Sequence, residues 1–103
     1  MRVLLFKADE GEKPRVSEVW ERLGELMDDR DYSPLYDPLT GRLWVKVSSA
    51  EGTTELFFKD TENGVFVYVT WKYDNKTKST FRDCETWEEL EGYVKWAVNW
   101  LEN

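Results

Sequence analysis

A chain of 103 residues, 41% of them hydrophobic, can bury its own core, and we expect residues 1–103 to form a single α+β domain. No run approaches the roughly 20 apolar residues of a membrane span, no signal-peptide pattern is present, and the single Cys84 fits a reducing compartment, so we expect a cytoplasmic protein. The net charge of −7 argues against duplex DNA as a partner, because duplex binding depends on neutralising phosphates with Lys and Arg.

The N-terminal third predicts a strand followed by a helix. Met1–Lys7 is a short apolar run without room for a helical pattern, so it predicts a strand, and the charged segment Ala8–Lys13 predicts a loop. Pro14 suits the first turn of a helix, where its missing N–H costs nothing. Apolar residues at spacings of three and four then predict an amphipathic helix over about residues 14–29, whose core stripe is Val16, Val19, Trp20, Leu23, Leu26 and Met27.

The middle of the chain predicts strands joined by short turns. Turn signals stand at Pro38–Gly41, Ala50–Gly52 and Asn63-Gly64, of which the last is the strongest hairpin signal. Gly64–Tyr73 is apolar on both faces at its start, which predicts a central strand covered on both sides. The predicted strands are Tyr32–Asp37 at an irregular edge, Arg42–Ser49, Thr53–Asp60, Gly64–Tyr73 and a short one at about Lys78–Arg82.

The C-terminal segment predicts a second helix, over Thr86–Leu101. Thr86 and Glu89 form a T-x-x-E capping box, in which each side chain bonds the other residue's backbone N–H. A second aromatic stripe, Tyr93, Trp96 and Trp100, lies beside the core stripe; we expect Trp96 to be partly exposed and the other two to be mostly buried. The core stripe is Trp87, Leu90, Val94, Ala97, Val98 and Leu101.

Together these elements predict a two-layer α+β domain. Consecutive hairpins give an antiparallel meander of about five strands, in the chain order β-α-β-β-β-β-α. Both helices are apolar on one side, so we expect both to cover the same face of the sheet. That face carries Leu43, Val45, Val47, Leu56, Phe58, Val65, Val67 and Val69.

The sequence offers little for catalysis. It contains no histidine, one cysteine cannot build a usual zinc site, and neither phosphate-binding glycine motif is present. Cys84 precedes a helix but is flanked by Asp83 and Glu85, so we expect an idle thiol. We therefore expect no enzyme, no cofactor and no metal, although a small enzyme with an unrecognised carboxylate site stays an alternative.

The surplus of aromatic residues predicts an interaction surface. With 6 Trp, 5 Tyr and 5 Phe, a two-layer core is not expected to hold every ring. We expect a non-catalytic protein-interaction module, or a small regulator or inhibitor, that engages a protein partner or a second copy in a homo-oligomer. Its predicted binding residues are Trp44, Lys46, Phe57, Lys59, Phe66, Tyr68 and Lys72 on the outer sheet face, with Tyr93, Trp96 and Trp100 on the helix as a weaker set.

The sequence leaves two alternative functions open. The rings and lysines of the outer sheet face also suit single-stranded nucleic acid, whose bases stack on aromatic side chains while lysines follow the backbone. The acidic helical face also suits an inhibitor that imitates nucleic-acid phosphates and occupies a basic partner.

Overall fold

Within residues 13–102, the part of the chain that the computed structural model describes, five hairpin-linked strands form an antiparallel meander. The sheet order is the chain order, so each strand pairs only with its sequence neighbours there. The α+β class and the meander are confirmed. The strands are β1 (Tyr32–Asp37), β2 (Arg42–Ser48), β3 (Thr53–Thr61), β4 (Gly64–Tyr73) and β5 (Lys76–Cys84).

The sequence predicts four strands after the first helix, or five with the short one at about Lys78–Arg82. The structure has all five, and β5 is a full strand of 9 residues instead of a short one. Asp74 and Asn75 have φ of 51° and 60°, which makes a tight two-residue turn and starts β5 at once. The predicted strand Met1–Lys7 and most of the loop Ala8–Lys13 lie outside the described residues.

Side-chain alternation separates the two faces of the sheet as predicted. Every residue predicted for the covered face is buried, with exposed fractions from 0% to 2%. The prediction that Gly64–Tyr73 is covered on both sides is wrong, because Tyr68 on its opposite face is 40% exposed. We call the buried face the inner face and the accessible one the outer face.

The first predicted helix is two short helices, α1 (Val16–Glu21) and α2 (Leu23–Leu26). Arg22 interrupts them with φ −105° and ψ 13°, and its N–H is shared between two carbonyl oxygens, those of Glu18 and Val19. The predicted end at residue 29 is also wrong, because Asp28 and Asp29 have positive φ and leave the helical path. Acidic side chains at this end oppose the helix dipole, which favours an early end.

The start of α1 is capped from a distant strand. Asp60 at the end of β3 accepts a hydrogen bond from the Val16 N–H at 2.8 Å. Beside it, the Arg15 guanidinium donates to the Thr61 carbonyl at 2.9 Å. A carboxylate at a helix N-terminus satisfies a free N–H and favours the dipole, so these contacts tie α1 to the β3–β4 hairpin.

The C-terminal helix α3 (Trp87–Asn99) ends in one 3-10 turn, Trp100–Glu102. Its cap forms in part as predicted, since the Thr86 hydroxyl accepts from the Glu89 N–H at 3.1 Å. The reciprocal bond differs from the prediction: the Glu89 carboxylate accepts from the Glu85 N–H, and also pairs with Arg82.

One hydrophobic cluster joins the helices to the sheet. Buried residues of α1, α2 and α3 belong to the same cluster as the inner face. Trp71 of β4 also donates its indole N–H to the Ala97 carbonyl of α3 at 2.9 Å. A shared cluster is what the predicted placement of both helices over one face requires. No helix between residues 13 and 102 is long and apolar enough to cross a membrane.

Candidate interaction surface on the outer sheet face

The strand register aligns one apolar side chain from each described strand in a single line across the outer face. Leu35 pairs with Trp44 and Trp44 with Phe57, and the line continues through neighbouring strands. With strands about 4.8 Å apart, the line is roughly 19 Å long. We call it the cross-sheet row, and its members are Leu35, Trp44, Phe57, Tyr68 and Phe81.

The cross-sheet row is accessible along its length. Leu35 and Phe81 at its ends are 67% and 64% exposed, while Trp44 and Tyr68 are 42% and 40% exposed. Two rings of the row contact each other, since the Trp44 and Phe57 centroids are 5.2 Å apart with the planes tilted by 46°. A tilted contact of this kind holds both side chains in defined positions, and the register places the other members of the row on the neighbouring strands beside them.

Two largely polar rows flank the cross-sheet row. Glu55 lies in one of them and pairs with Lys72 at 3.4 Å, while Thr70 and Ser79 bond through their hydroxyls at 3.2 Å. We call them the Lys46 row, which contains Ser33, Lys46, Glu55, Thr70 and Ser79, and the Lys59 row, which contains Asp37, Arg42, Lys59, Phe66 and Asp83.

The outer face differs in charge from the chain as a whole. Its charged side chains are Arg42, Lys46, Lys59, Lys72, Asp37, Glu55 and Asp83, which nearly balance, whereas the chain carries −7. Asp37 is also held in its own turn, since hydrogen bonds from the Thr40 side chain and the Leu39 N–H lower its pKa. Long-range repulsion between two such faces is therefore weak compared with repulsion between the acidic sides of the molecule.

The structure places all seven residues predicted for the sheet site on the outer face. Trp44, Phe57 and Tyr68 lie in the cross-sheet row, and Phe66 joins it through a ring contact of 5.7 Å with Phe81. Sequence reasoning missed Leu35 and Phe81. A signal for Phe81 was available, because counting outwards from a two-residue turn at Asp74-Asn75 pairs it with Tyr68.

The weaker helix set is associated with the inner-face cluster. Trp96 is 46% exposed, as predicted, while Tyr93 and Trp100 are partly buried against the core. Trp96 and Trp100 both contact Trp71, with centroid distances of 5.5 Å and 4.3 Å, and Trp71 is a buried residue of the inner-face cluster. The two predicted surfaces are therefore separate.

Cys84 is buried at the end of β5. Burial, and then the charge of Glu89, raise the pKa of its thiol from 9.0 to about 12. A thiol that is neither accessible nor ionised near neutral pH is a poor nucleophile, in keeping with the predicted idle cysteine.

Native Cys84 should react with an aromatic disulfide reagent about a thousandfold more slowly than the unfolded chain at about pH 8, because a pKa of about 12 instead of 9.0 reduces the thiolate by that factor. The measurement compares thiol release with and without denaturant.

The raised pKa of Cys84 also predicts that the free energy of unfolding falls as pH rises from 9.0 towards about 12, since the thiol of the unfolded chain ionises first. Rapid labelling of the native protein would contradict the assignment.

Comparison with known proteins gives no relative: no family model, no curated protein and no solved structure matches this chain.

Proposed function

We propose that this chain is a non-catalytic protein-interaction module that binds through its outer sheet face, and that a second copy of the chain occupies that face. The observation that carries the proposal is the cross-sheet row, in which an apolar side chain from every described strand lies in register with the next one. The largest exposed apolar patch of a monomer, typically about 300–600 Å², is often its binding site when polar side chains form its rim.

The size of the patch decides how much of the face must take part. Aromatic side chains present 150–250 Å² each, so the exposed fractions of the row amount to roughly 400 Å² of apolar surface. A stable interface buries about 800 Å² on each partner. The row therefore supplies about half, and the flanking polar rows must be covered too, which makes their charges part of the specificity.

The charges favour one of the two simple two-fold arrangements. In the first arrangement the axis is parallel to the strands and passes over β3. Lys59 of one copy then faces Lys59 of the other, and Glu55 faces Glu55, so like charges meet. With the axis along the cross-sheet row, the Lys46 row of one copy covers the Lys59 row of the other. Glu55 then faces Lys59 of the second copy, twice by symmetry, at the centre of the interface.

The same arrangement buries the rings against each other. Each member of the cross-sheet row then lies over its own copy, and apolar side chains are complementary to themselves. Lys46 faces Arg42 of the second copy, also twice by symmetry, and this unfavourable pair is nearer the rim, where screening is stronger. We therefore infer a two-fold, sheet-to-sheet dimer with its axis along the row.

The combined change Trp44→Ala with Tyr68→Ala should raise the dissociation constant of the dimer at least about a hundredfold, because central aromatic side chains supply most of an interface's affinity. Light scattering coupled to gel filtration over a concentration series measures it. Trp20→Ala is the matched control, since Trp20 is also 40% exposed but lies in α1. Far-ultraviolet circular dichroism checks that each variant is folded.

A charge exchange tests the arrangement itself. Lys59→Glu and Glu55→Lys should each weaken the dimer, and the two changes together should restore it, since the pair is then reversed. A wild-type protein that stays monomeric throughout the series rejects the second copy as the occupant, and a double exchange that does not restore association rejects the axis along the row.

Single-stranded nucleic acid is the second candidate for this face, because Lys46 and Lys59 lie in the rows next to the exposed rings and Lys72 lies further along β4 on the same face. Binding of an unstructured oligonucleotide at low salt, lost in the Trp44→Ala and Tyr68→Ala variant, would favour it over the dimer.

A further inference from the structure

A second candidate site, which is a cleft, lies at one end of the molecule, away from the cross-sheet row. It is a cleft of about 710 Å³ where the β2–β3 and β4–β5 turns meet the end of α3. Three aromatic side chains line it, Tyr73, Trp96 and Trp100, and two carboxylates, Glu51 and Asp74, accompany them. We call it the three-ring cleft.

The rings of the cleft are held in place from behind. Trp100 stacks on the buried Trp71 with centroids 4.3 Å apart, and Tyr73 meets Trp100 edge-on at 5.7 Å. Trp96 contacts Trp71 at right angles, at 5.5 Å, yet keeps 46% of its surface accessible. The site therefore offers preformed ring surfaces, which a ligand does not have to order.

The cleft is lined by carboxylates that a ligand can reach. Glu51 and Asp74 are exposed, and no cationic side chain is among the lining residues. Arg30 lies nearby, but its guanidinium bonds Glu102 and Asn99. The hydrogen bond to Glu102 is the main cause that raises the pKa of Arg30. Within residues 13–102 no group of three acidic or cysteine side chains is placed to hold a metal ion.

The rings already attract a cation within the molecule. The Lys78 ammonium lies over the Trp100 ring, 5.6 Å from its centroid. Aromatic faces attract organic cations through their quadrupole, and Trp does so best. Rings and carboxylates in one cleft thus combine apolar contact with negative charge.

We propose that the three-ring cleft binds an organic cation of the alkylated-ammonium class. The alkyl groups contact the Trp96 and Tyr73 rings, and Glu51 and Asp74 balance the positive charge. The carboxylates also select among such ligands, because they repel any cation that carries a carboxylate of its own. This site does not depend on the proposed dimer.

Titration with choline chloride, against sodium chloride at matched ionic strength, tests the site by two-dimensional NMR of backbone and indole N–H groups. Saturable shifts are expected at residues of the cleft. Trp96→Ala should weaken binding about threefold to tenfold, and Glu51→Gln or Asp74→Asn about twofold to fivefold. Asparagine suits position 74, since this residue has φ 51° and asparagine tolerates that conformation.

Two ligands and one variant serve as controls. Glycine betaine shares the trimethylammonium group but adds a carboxylate, and 3,3-dimethylbutan-1-ol has the shape without the charge; both should bind more weakly than choline. Trp44→Ala, on the outer face, should leave choline binding unchanged. The proposal fails if choline gives no saturable shift, if the neutral alcohol binds as well, or if Trp96→Ala has no effect.

Discussion

Replacing Gly64 with alanine should remove at least about 3 kcal/mol from the free energy of unfolding. Gly64 begins β4 with φ 154°, a conformation that residues with a side chain rarely adopt. An added Cβ would lie 2.1 Å from the Cys84 carbonyl oxygen and 3.1 Å from the Glu85 Cα. Both are backbone atoms, so the clash is relieved only by moving β4 away from the end of β5. Urea unfolding followed by circular dichroism measures the loss.

Gly92→Ala is the matched control. Gly92 lies inside α3, and nothing stands within 4 Å of an added Cβ. Alanine there should stabilise the protein by up to about 1 kcal/mol, because glycine is a poor helix former. Equal effects at the two positions would show that the close approach at Gly64 does not limit stability.

Trp71→Ala should cost about 3–5 kcal/mol, the range for removing a large buried aromatic side chain. Trp71 is 3% exposed and joins β4 to α3 through its hydrogen bond to the Ala97 carbonyl. Its ring is also the support against which Trp100 stacks. The loss therefore combines a cavity, a hydrogen bond and a ring contact, and the same denaturation experiment measures it.

Two further variants separate these contributions to the free energy of unfolding. Trp71→Phe keeps a ring but removes the N–H donor, so it should cost clearly less than alanine. Trp96→Ala removes a Trp that contacts Trp71 but is itself 46% exposed, and should cost about 1 kcal/mol or less. If Trp71→Ala were no more harmful than Trp96→Ala, the sheet-to-helix connection would not depend on Trp71.

We expect the two proposed sites to be occupied independently. The cross-sheet row is on the outer face, whereas the rings of the three-ring cleft are supported by Trp71 of the inner-face cluster. A dimer formed through the outer face therefore leaves the cleft open. Choline binding to the Trp44→Ala and Tyr68→Ala variant would test this separation directly.

Local patterns in the sequence were sufficient for most of the architecture. Period-two alternation correctly assigned the inner face, since a strand with one buried face tolerates no slip by one residue. Spacing on a helix correctly predicted that Trp96 is partly exposed, and Thr86 correctly marked the start of α3. These features depend on residues that are close together in the chain, so they can be predicted from a single sequence.

Contacts between distant residues were decided only by the tertiary structure. Asp60 caps α1 from 44 residues away, and Arg22 interrupts a pattern that is otherwise helical throughout. The hairpin at Asn63-Gly64 was predicted, but its turn residues are Glu62 and Asn63, and Gly64 is required instead by the backbone of Cys84. Leu35 and Phe81 join the cross-sheet row because register depends on the exact length of each turn. A single sequence determines which face a side chain takes, whereas the packing of the whole chain determines which side chains meet.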